Sequence, residues 1–348
     1  MTEPVDWSLA RKMGRRFAPS GPELELSQAR AVVSELRDHA QAAQEHVRAI
    51  TGMHAEPGHP AVVVDRGEWI DSNVAAMGEV LALWPAAHER HEESSAAAQA
   101  IGPRASAVQV GAALGWLSGK VLGQYEALAD PGRLLLVAPT IVDVERALEV
   151  NARDFRLWVC LHEETHRVQF GAVPWLGTHF RDLISRALQA FDDSSVGDRV
   201  LAIVGEVFEA LIQRRTPDIL SASQTPKQRA IADEITGLMS VLEGHADVVM
   251  DEIDVQTLPT VAQIRSRFDS RRASQASVRG ADSIWRKALG MDAKMAQYRE
   301  GAAFVRALMD DGGMALVNRI WESPANLPSG AEVRDPQLWL TRMRGIAA

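Results

Sequence analysis

Residues 154–171 read DFRLWVCLHEETHRVQFG and contain the pattern H-E-x-x-H, with His162 and His166 at its ends and Glu163 after the first histidine. Apolar residues precede the pattern, and neither proline nor glycine interrupts the stretch before its last residue. The stretch therefore predicts a helix, with Asp154 as its candidate N-cap. Because residues four apart share one face of a helix, the two imidazoles are expected to lie side by side.

Two imidazoles at this spacing can bind one Zn²⁺ ion, with nitrogen–metal distances of about 2.0–2.1 Å. The carboxylate of Glu163 follows the first histidine, where it can accept a proton from a water molecule on the metal. The pattern thus predicts His162 and His166 as zinc ligands and Glu163 as a general base. The competing interpretation is that both histidines are ordinary residues on a polar helix face.

A catalytic zinc ion usually has three protein ligands and one open position. The extended pattern H-E-x-x-H-x-x-G-x-x-H would need a glycine at position 169 and a histidine at position 172. The chain has Gln169 and Ala172 there, which excludes that class. The segment 227–251 offers Glu243 and His245 instead, on a second strongly helical pattern. These two residues are roughly 200° apart around a helix, so they do not easily bind one metal together.

We favour Glu243 as the third ligand because Asp247 lies four residues after it, on the same face of the helix. A ligand carboxylate followed four residues later by an aspartate resembles the arrangement in thermolysin-like metallopeptidases. By that resemblance, Asp247 would orient His162 through the other ring nitrogen, which fixes the tautomer. His245 would then be a hydrogen-bonded wall residue or a transition-state donor at the edge of the cleft.

Peptide hydrolysis also requires a donor for the developing oxyanion. Tyr298 is a candidate for this role, with core packing as the competing interpretation. Glu164 is interpreted as a solvated helix residue, with a supporting contact to the metal ligands as the alternative. Cys160, the only cysteine, is interpreted as a buried structural thiol.

The remaining sequence is mainly helical in pattern, and we predict a single mainly α domain over residues 1–348 with one or two short strands. The metal site would be formed by segments 154–171 and 227–251. The strand candidates are 61–64 and 133–138, and the second is expected to form the edge of the cleft. Helices are also predicted at 200–214 and 283–289.

Four glycines recur at a spacing of four in the helix predicted to begin near Arg104: Gly111, Gly115, Gly119 and Gly123. Each glycine inside a helix destabilises it by about 0.5–1 kcal/mol relative to alanine. We therefore expect another helix to approach this bare face closely, and a ligand is the alternative.

The composition limits the partners of the protein. The chain of 348 residues has a formal net charge of −9, which argues against nucleic acid as the main partner. The weakly polar stretch 105–128 is interrupted by Gln109, Lys120 and Gln124, so a buried helix is favoured over a membrane span. A single cysteine excludes an internal disulfide, and the N-terminus lacks the apolar run of a secretory signal. A cytoplasmic location is expected.

Beyond the metal motifs, the chain resembles the zincin-like family labelled as associated with biosynthesis of the deazaflavin coenzyme (F-420). The phrases that carry the resemblance are VDWSLARKMGRRFAPSGP (5–22), VVVDRGEWIDSN (62–73), LGQYE (122–126), LLLVAPTI (134–141), LHEETHRVQFGAVPWL (161–176), LEGHADVVMD (242–251) and YREG (298–301). This resemblance spans most of the chain. It implies a mainly helical zincin-like fold and a zinc hydrolase role, without implying a particular substrate.

The sequence therefore predicts a zinc-dependent metallopeptidase or related amide hydrolase that acts on a peptide or a small amide. The alternative is a non-catalytic binding or scaffold protein in which zinc is structural. A closed site with four protein ligands would favour that alternative. A narrow pocket in place of an open groove would favour a small amide over a peptide. The sequence predicts neither an oligomeric state nor a cleavage preference.

Overall fold

The computed structural model describes residues 3–55, 59–82, 84, 96–129, 131–190, 226–275 and 295–346. Over these residues the protein is mainly α-helical with one small sheet, which confirms the predicted fold class. The helices predicted at 200–214 and 283–289 lie outside the described residues.

The described helices, numbered in chain order, are α1 (Trp7–Phe17), α2 (Leu26–Thr51), α3 (Arg66–Ala82), α4 (Ala96–Ser118), α5 (Ala138–Leu148), α6 (Ala152–Ala172), α7 (Leu176–Ala190), α8 (Pro226–Asp251), α9 (Val261–Gln275), α10 (Met295–Asn318), α11 (Gly330–Arg334) and α12 (Pro336–Ile346). Helix α10 is interrupted at Gly313, whose φ of 66° and ψ of −167° are not helical. Two short 3₁₀ segments, Arg319–Glu322 and Pro324–Asn326, connect α10 to α11.

The sheet has three strands: β1 (Val62–Val64), β2 (Gly123–Glu126) and β3 (Arg133–Val137). Their order is β1-β3-β2, with β1 parallel and β2 antiparallel to β3. Both predicted strands therefore exist. The expectation that the strand at 133–138 forms an edge is wrong, because β3 is paired on both sides and the edge strands are β1 and β2.

Helix α4 is shorter at its C-terminal end than the glycine spacing predicted, since it stops at Ser118 and Gly123 begins β2. The hydroxyl of Ser118 donates to the carbonyl of Gly115, and Thr140 donates to the carbonyl of Ser118, so local side-chain hydrogen bonds satisfy the turn. The four glycines therefore do not share one helix face.

Helix packing does explain the two of these four glycines that lie inside α4, Gly111 and Gly115. A Cβ atom at Gly111 would lie 2.6 Å from the carbonyl oxygen of Ala10, and one at Gly115 would lie 2.7 Å from that of Gly14. Glycine at these positions lets α1 and α4 pack with their backbones in contact. The predicted close approach of another helix is confirmed here.

Helix α6, which carries H-E-x-x-H, runs through the centre of the protein. Its N-cap is Asn151, whose side chain accepts a hydrogen bond from the backbone N–H of Asp154 at 3.0 Å. Asp154 is therefore not the N-cap, and its carboxylate accepts hydrogen bonds from Thr260 instead. Nearly every residue of α6 from Asp154 to Gln169 is buried, so the motif is embedded in the core.

Helix α8 lies beside α6, and α10 packs against α8 at glycine residues. A Cβ atom at Gly244 would overlap the backbone of Gly301, and one at Gly301 would overlap the carbonyl of Ser240. The two backbones are thus in direct contact beside Glu243. This contact sets the position of the segment predicted to supply the third ligand.

Among the described helices, none combines the length and the hydropathy that a membrane crossing requires.

Candidate metal centre

Three buried side chains converge where α6 and α8 meet. His162 and His166 come from α6 and Glu243 comes from α8, and one ligand atom from each lies within 4.8 Å of the others. Their exposed fractions are 4%, 7% and 2%. In the part of the chain that the structure describes, this is the group of histidine, cysteine and acidic residues with the spacing of a metal site.

The distances within this cluster fit one tetrahedral ion. The Nε2 atoms of His162 and His166 are 3.1 Å apart, and they lie 3.7 Å and 3.5 Å from the two carboxylate oxygens of Glu243. Two ligands at about 2.0–2.1 Å from a zinc ion in tetrahedral geometry are about 3.4 Å apart. Two imidazoles and a carboxylate are also ligands that suit zinc. The cluster is therefore suited to hold that ion.

Glu163 lies beside the cluster and contacts the edge strand. A Cβ atom at Gly123, the first residue of β2, would lie 2.6 Å from Cγ and 2.8 Å from Cδ of Glu163. Only a glycine at this position leaves room for the glutamate. Together with His162 and His166, Glu163 lines a cavity, so all three motif residues face the same space.

The cavity has a volume of ≈ 150 Å³ and is bounded mainly by apolar side chains. It lies between helices α3, α6, α7 and α8 and the segment 121–129, which includes β2. The apolar lining includes Val80, Val121, Phe170, Phe180, Ile184, Met239 and Leu242. The ring of Phe170 stacks on Tyr125 and meets Phe180 edge to face, both at 5.8 Å between centroids. These contacts form a rigid aromatic wall beside the motif.

Behind the histidines, the fully buried amide of Gln169 joins α6 to α8. Its oxygen lies 2.9 Å from Nδ1 of His166. Its nitrogen donates to the carbonyl of Leu242 at 2.8 Å and lies 3.1 Å from Nδ1 of His245. Every polar atom of this side chain is therefore used.

His245 is buried on α8 and is not part of the cluster of ligand atoms. Its ring lies 5.5 Å from that of Trp321, between centroids, and neither residue lines the cavity. Burial, with a smaller effect from His166, lowers the pKa of His245 to about 3, so the ring is neutral at physiological pH.

The structure leaves two predicted roles as predictions. Asp247 is partly buried on α8, and its backbone carbonyl accepts a hydrogen bond from Arg265 at 3.1 Å. Tyr298 falls in α10, but its side chain lies outside the described part of the chain. The orientation of His162 by Asp247 and an oxyanion contact from Tyr298 stay predictions.

The structure tests two further predictions on the motif helix, the burial of Glu164 and that of Cys160. The expectation of a solvated Glu164 is wrong: only 1% of it is exposed, and it pairs with Arg167, whose guanidinium also donates to the carbonyl of His59. Burial raises the pKa of Glu164 to about 7. Cys160 is fully buried, as predicted, and burial raises the pKa of its thiol.

With this geometry established, the relatives of the chain are informative. The profile of a family described as "Zincin-like metallopeptidase" matches residues 5–340, which is nearly the whole chain. The chain belongs to the zincin-like metallopeptidase family. The family resemblance predicted from the sequence is confirmed at this level, and a zincin-like assignment agrees with a buried site of two histidines and a glutamate.

A solved structure similar to this zincin-like protein comes from Chloroflexus aurantiacus and is described as "a putative hydrolase with a novel fold". The two proteins share 28% sequence identity and superpose with a TM-score of 0.69, over 98% of this chain and 99% of the other. No curated protein sequence matches the chain significantly.

Sequence reasoning missed two residues of this zincin-like site, Gln169 and Gly123. Gln169 was noted only as the residue that replaces the glycine of the extended motif. Its spacing of three from His166 was the available signal, since residues three apart are neighbours on a helix. Gly123 was assigned to a helix because its spacing continued the glycine pattern.

Proposed function

We propose that this zincin-like protein is a zinc-dependent metallopeptidase or a related amide hydrolase. His162, His166 and Glu243 hold the ion, and Glu163 is the general base. The observation that carries the proposal is the convergence of three buried ligand atoms beside a cavity that Glu163 also lines.

The roles of the metal ligands and of Glu163 are proposed from their positions, and those of Asp247 and Tyr298 from the sequence. A bound zinc ion would supply a Lewis acid that polarises the scissile carbonyl and makes water easier to deprotonate. Glu163 accepts the proton of the attacking water and returns it to the leaving amine. Asp247 orients His162 through its other ring nitrogen, and Tyr298 donates a hydrogen bond to the developing oxyanion.

Two features favour an enzyme over a scaffold with structural zinc. The cluster among the described residues has three ligands, and a structural zinc site usually has four. Glu163 faces the cavity beside the two histidines, where a structural site would have no use for a carboxylate. His245, whose coordination would close the site, is instead engaged with Gln169.

The cavity favours a substrate that places one apolar group beside the scissile bond. Its volume of ≈ 150 Å³ is below the range of about 300–1,000 Å³ for pockets that enclose a drug-sized ligand. Strand β2 lines this cavity along its whole length and has one unpaired edge among the described strands. An extended peptide can pair with such an edge while a single side chain fills the cavity.

The first experiment is the metal content of purified protein by mass spectrometry, with wild type beside Glu243→Ala and His245→Ala. We expect about one zinc ion per chain in wild type and in His245→Ala, because catalytic zinc takes three protein ligands. Glu243→Ala should lose or greatly weaken binding. Wild-type protein that takes up no zinc from a buffered solution would overturn the proposal.

Catalysis is tested next, with a library of quenched fluorescent peptides and small N-acyl amides. Wild type should prefer substrates with an apolar group beside the cleaved bond. Glu163→Gln should retain zinc and lose this hydrolysis, because the amide cannot accept the proton. A confirmed hydrolytic activity that persists in Glu163→Gln would show that this residue is not the base.

Two finer predictions from the sequence concern the pathway and the cellular location of the protein. An association with deazaflavin coenzyme biosynthesis rests on the sequence resemblance alone. A cytoplasmic location rests on the single cysteine, since the chain needs no oxidising compartment to form an internal disulfide.

A further inference from the structure

We propose that Gln169 is a positioning residue that fixes the tautomer of His166, and that His245 and the carbonyl of Leu242 hold Gln169 in the required orientation. This inference rests on the proposed metal site, because its consequence is to present one ring nitrogen of His166 to the ion. It assigns a role to Gln169, and it gives His245 a role other than that of a ligand.

The orientation of the Gln169 amide follows from its neighbours. A carbonyl oxygen can only accept hydrogen bonds, so the atom of the amide 2.8 Å from the Leu242 carbonyl is the nitrogen. The amide oxygen therefore faces Nδ1 of His166, at 2.9 Å. Reversing the amide would place two oxygens in contact in a fully buried site, which costs far more than a lost hydrogen bond in water.

This orientation determines where His166 carries its proton. An amide oxygen only accepts, so Nδ1 of His166 must be the protonated nitrogen. In the neutral ring, Nε2 then has the lone pair. Nε2 is also the atom that lies 3.1 Å from His162 and 3.5 Å from Glu243. Gln169 thus presents a lone pair to the cluster before any metal is bound.

His245 completes the arrangement from α8. The second N–H of the Gln169 amide points to Nδ1 of His245, at 3.1 Å, so that nitrogen must be the acceptor. The proton of His245 is then on Nε2, a buried atom that has no hydrogen-bond partner among the described residues. Both hydrogens of the amide thereby meet acceptors, whereas in the reversed amide the oxygen would face the carbonyl oxygen of Leu242.

The arrangement also connects the two helices that supply the cluster. Gln169 lies three residues after His166 on α6, and its two acceptors flank Glu243 on α8. A single side chain therefore ties the position of the carboxylate ligand to the ring direction of a histidine ligand. A glycine at this position, as in the extended motif, would provide none of these contacts.

The direct test is the tautomer of His166 in metal-free protein, read from two-bond ¹H–¹⁵N correlation spectra of ¹⁵N-histidine-labelled wild type. The signal is assigned by its absence in His166→Gln. We expect His166 protonated at Nδ1 and His245 protonated at Nε2. A wild-type His166 protonated at Nε2 overturns the inference, whatever any variant does.

Variants then separate hydrogen bonding from packing. Gln169→Met keeps the length of the side chain without its hydrogen bonds, and we expect mixed tautomers of His166 and zinc affinity weaker by about 10–100-fold. His245→Phe should weaken zinc binding by a smaller factor. His245→Asn should bind zinc nearly as tightly as wild type, because its amide oxygen can take the place of Nδ1.

Zinc affinity is measured by competition with a chromogenic chelator, and Co²⁺ substitution reports the ligand field through its d–d absorption. A folded Gln169→Met with the wild-type tautomer, affinity and Co²⁺ spectrum overturns the inference. If Gln169→Met does not fold, the matched pair His245→Phe and His245→Asn decides, and equal zinc affinities in the two overturn the role of His245. If wild-type protein binds no zinc but His166 is protonated at Nδ1, the proposed function is overturned while the inference about the tautomer is supported.

Discussion

A Cβ atom at position 123 would lie 2.6 Å from Cγ of Glu163, so the edge strand touches the proposed general base across a glycine. The first residue of β2 therefore sets how far the carboxylate can lean toward the sheet. The strand that could receive a peptide and the residue that would deprotonate water are positioned by the same contact. Their relative position is a property of the folded chain and does not require a ligand.

Gly123→Ala is expected to lower the turnover number at least about tenfold, since displacing a catalytic group by about 1 Å can cost about 100-fold. Zinc content should not change, because the substitution does not touch the three ligands. The matched control is Gly177→Ala, since no atom lies within 4 Å of a Cβ there. Wild-type turnover in Gly123→Ala would show that the contact with Glu163 does not matter.

Zinc should stabilise the folded protein through Glu243. At a free zinc concentration of 100 times the dissociation constant, the expected gain in unfolding free energy is about 2.7 kcal/mol. Thermal unfolding with and without a chelator measures this gain, which should vanish in Glu243→Ala. The control is Glu252→Ala, which removes an exposed carboxylate just beyond α8. A zinc-dependent shift that survives in Glu243→Ala would point to a different third ligand.

Gly115→Ala should destabilise the protein by about 1–3 kcal/mol, because the added methyl group overpacks the contact between α4 and α1. Its Cβ would lie 2.7 Å from the carbonyl oxygen of Gly14 and 2.8 Å from Cβ of Phe17. Gly102→Ala in the same helix meets open space and should change stability by less than about 1 kcal/mol, because the gain in helix propensity is opposed by the restriction that Pro103 places on the residue before it. Urea unfolding measures both changes. Equal effects at the two positions would argue against the close packing of the helices.

Arg167→Met should destabilise the fold by about 3–5 kcal/mol, because it leaves the buried carboxylate of Glu164 without its ionic partner. Arg186→Met removes a similar guanidinium from a solvent-exposed pair with Glu234, and its cost should be below about 1 kcal/mol. Chemical denaturation of both variants gives the comparison. If both variants lost less than about 1 kcal/mol of stability, Glu164 would be solvated, as predicted from the sequence.

What the sequence predicted well is what short-range periodicity determines. The spacing of four between His162 and His166 forces both rings onto one face of α6, and the patterns around 133–138 and 227–251 sufficed to find β3 and α8. Gly123 was assigned to the wrong element for the same reason. Its spacing continued the run from Gly115, and only the hydrogen bonds around Ser118 and Thr140 end the helix earlier.

The residues that the sequence did not reveal depend on distant parts of the chain. Gln169 acquires its role only when α8 brings Leu242 and His245 against α6. The burial of Glu164 depends on Arg167, which is itself held by the carbonyl of His59. Position in a helical repeat says which way a side chain points, but it does not say what another helix places there.

The separation of His166 and Glu243 in the chain gives a bound ion a second effect. Coordination by both residues would close a loop of roughly 80 residues, so the two regions could separate only after the ion had left, and unfolding would be coupled to its release. The ion would then act as a reversible crosslink between two regions of the folded chain that are distant in sequence. Loss of the ion would remove both the Lewis acid needed for hydrolysis and a constraint on unfolding.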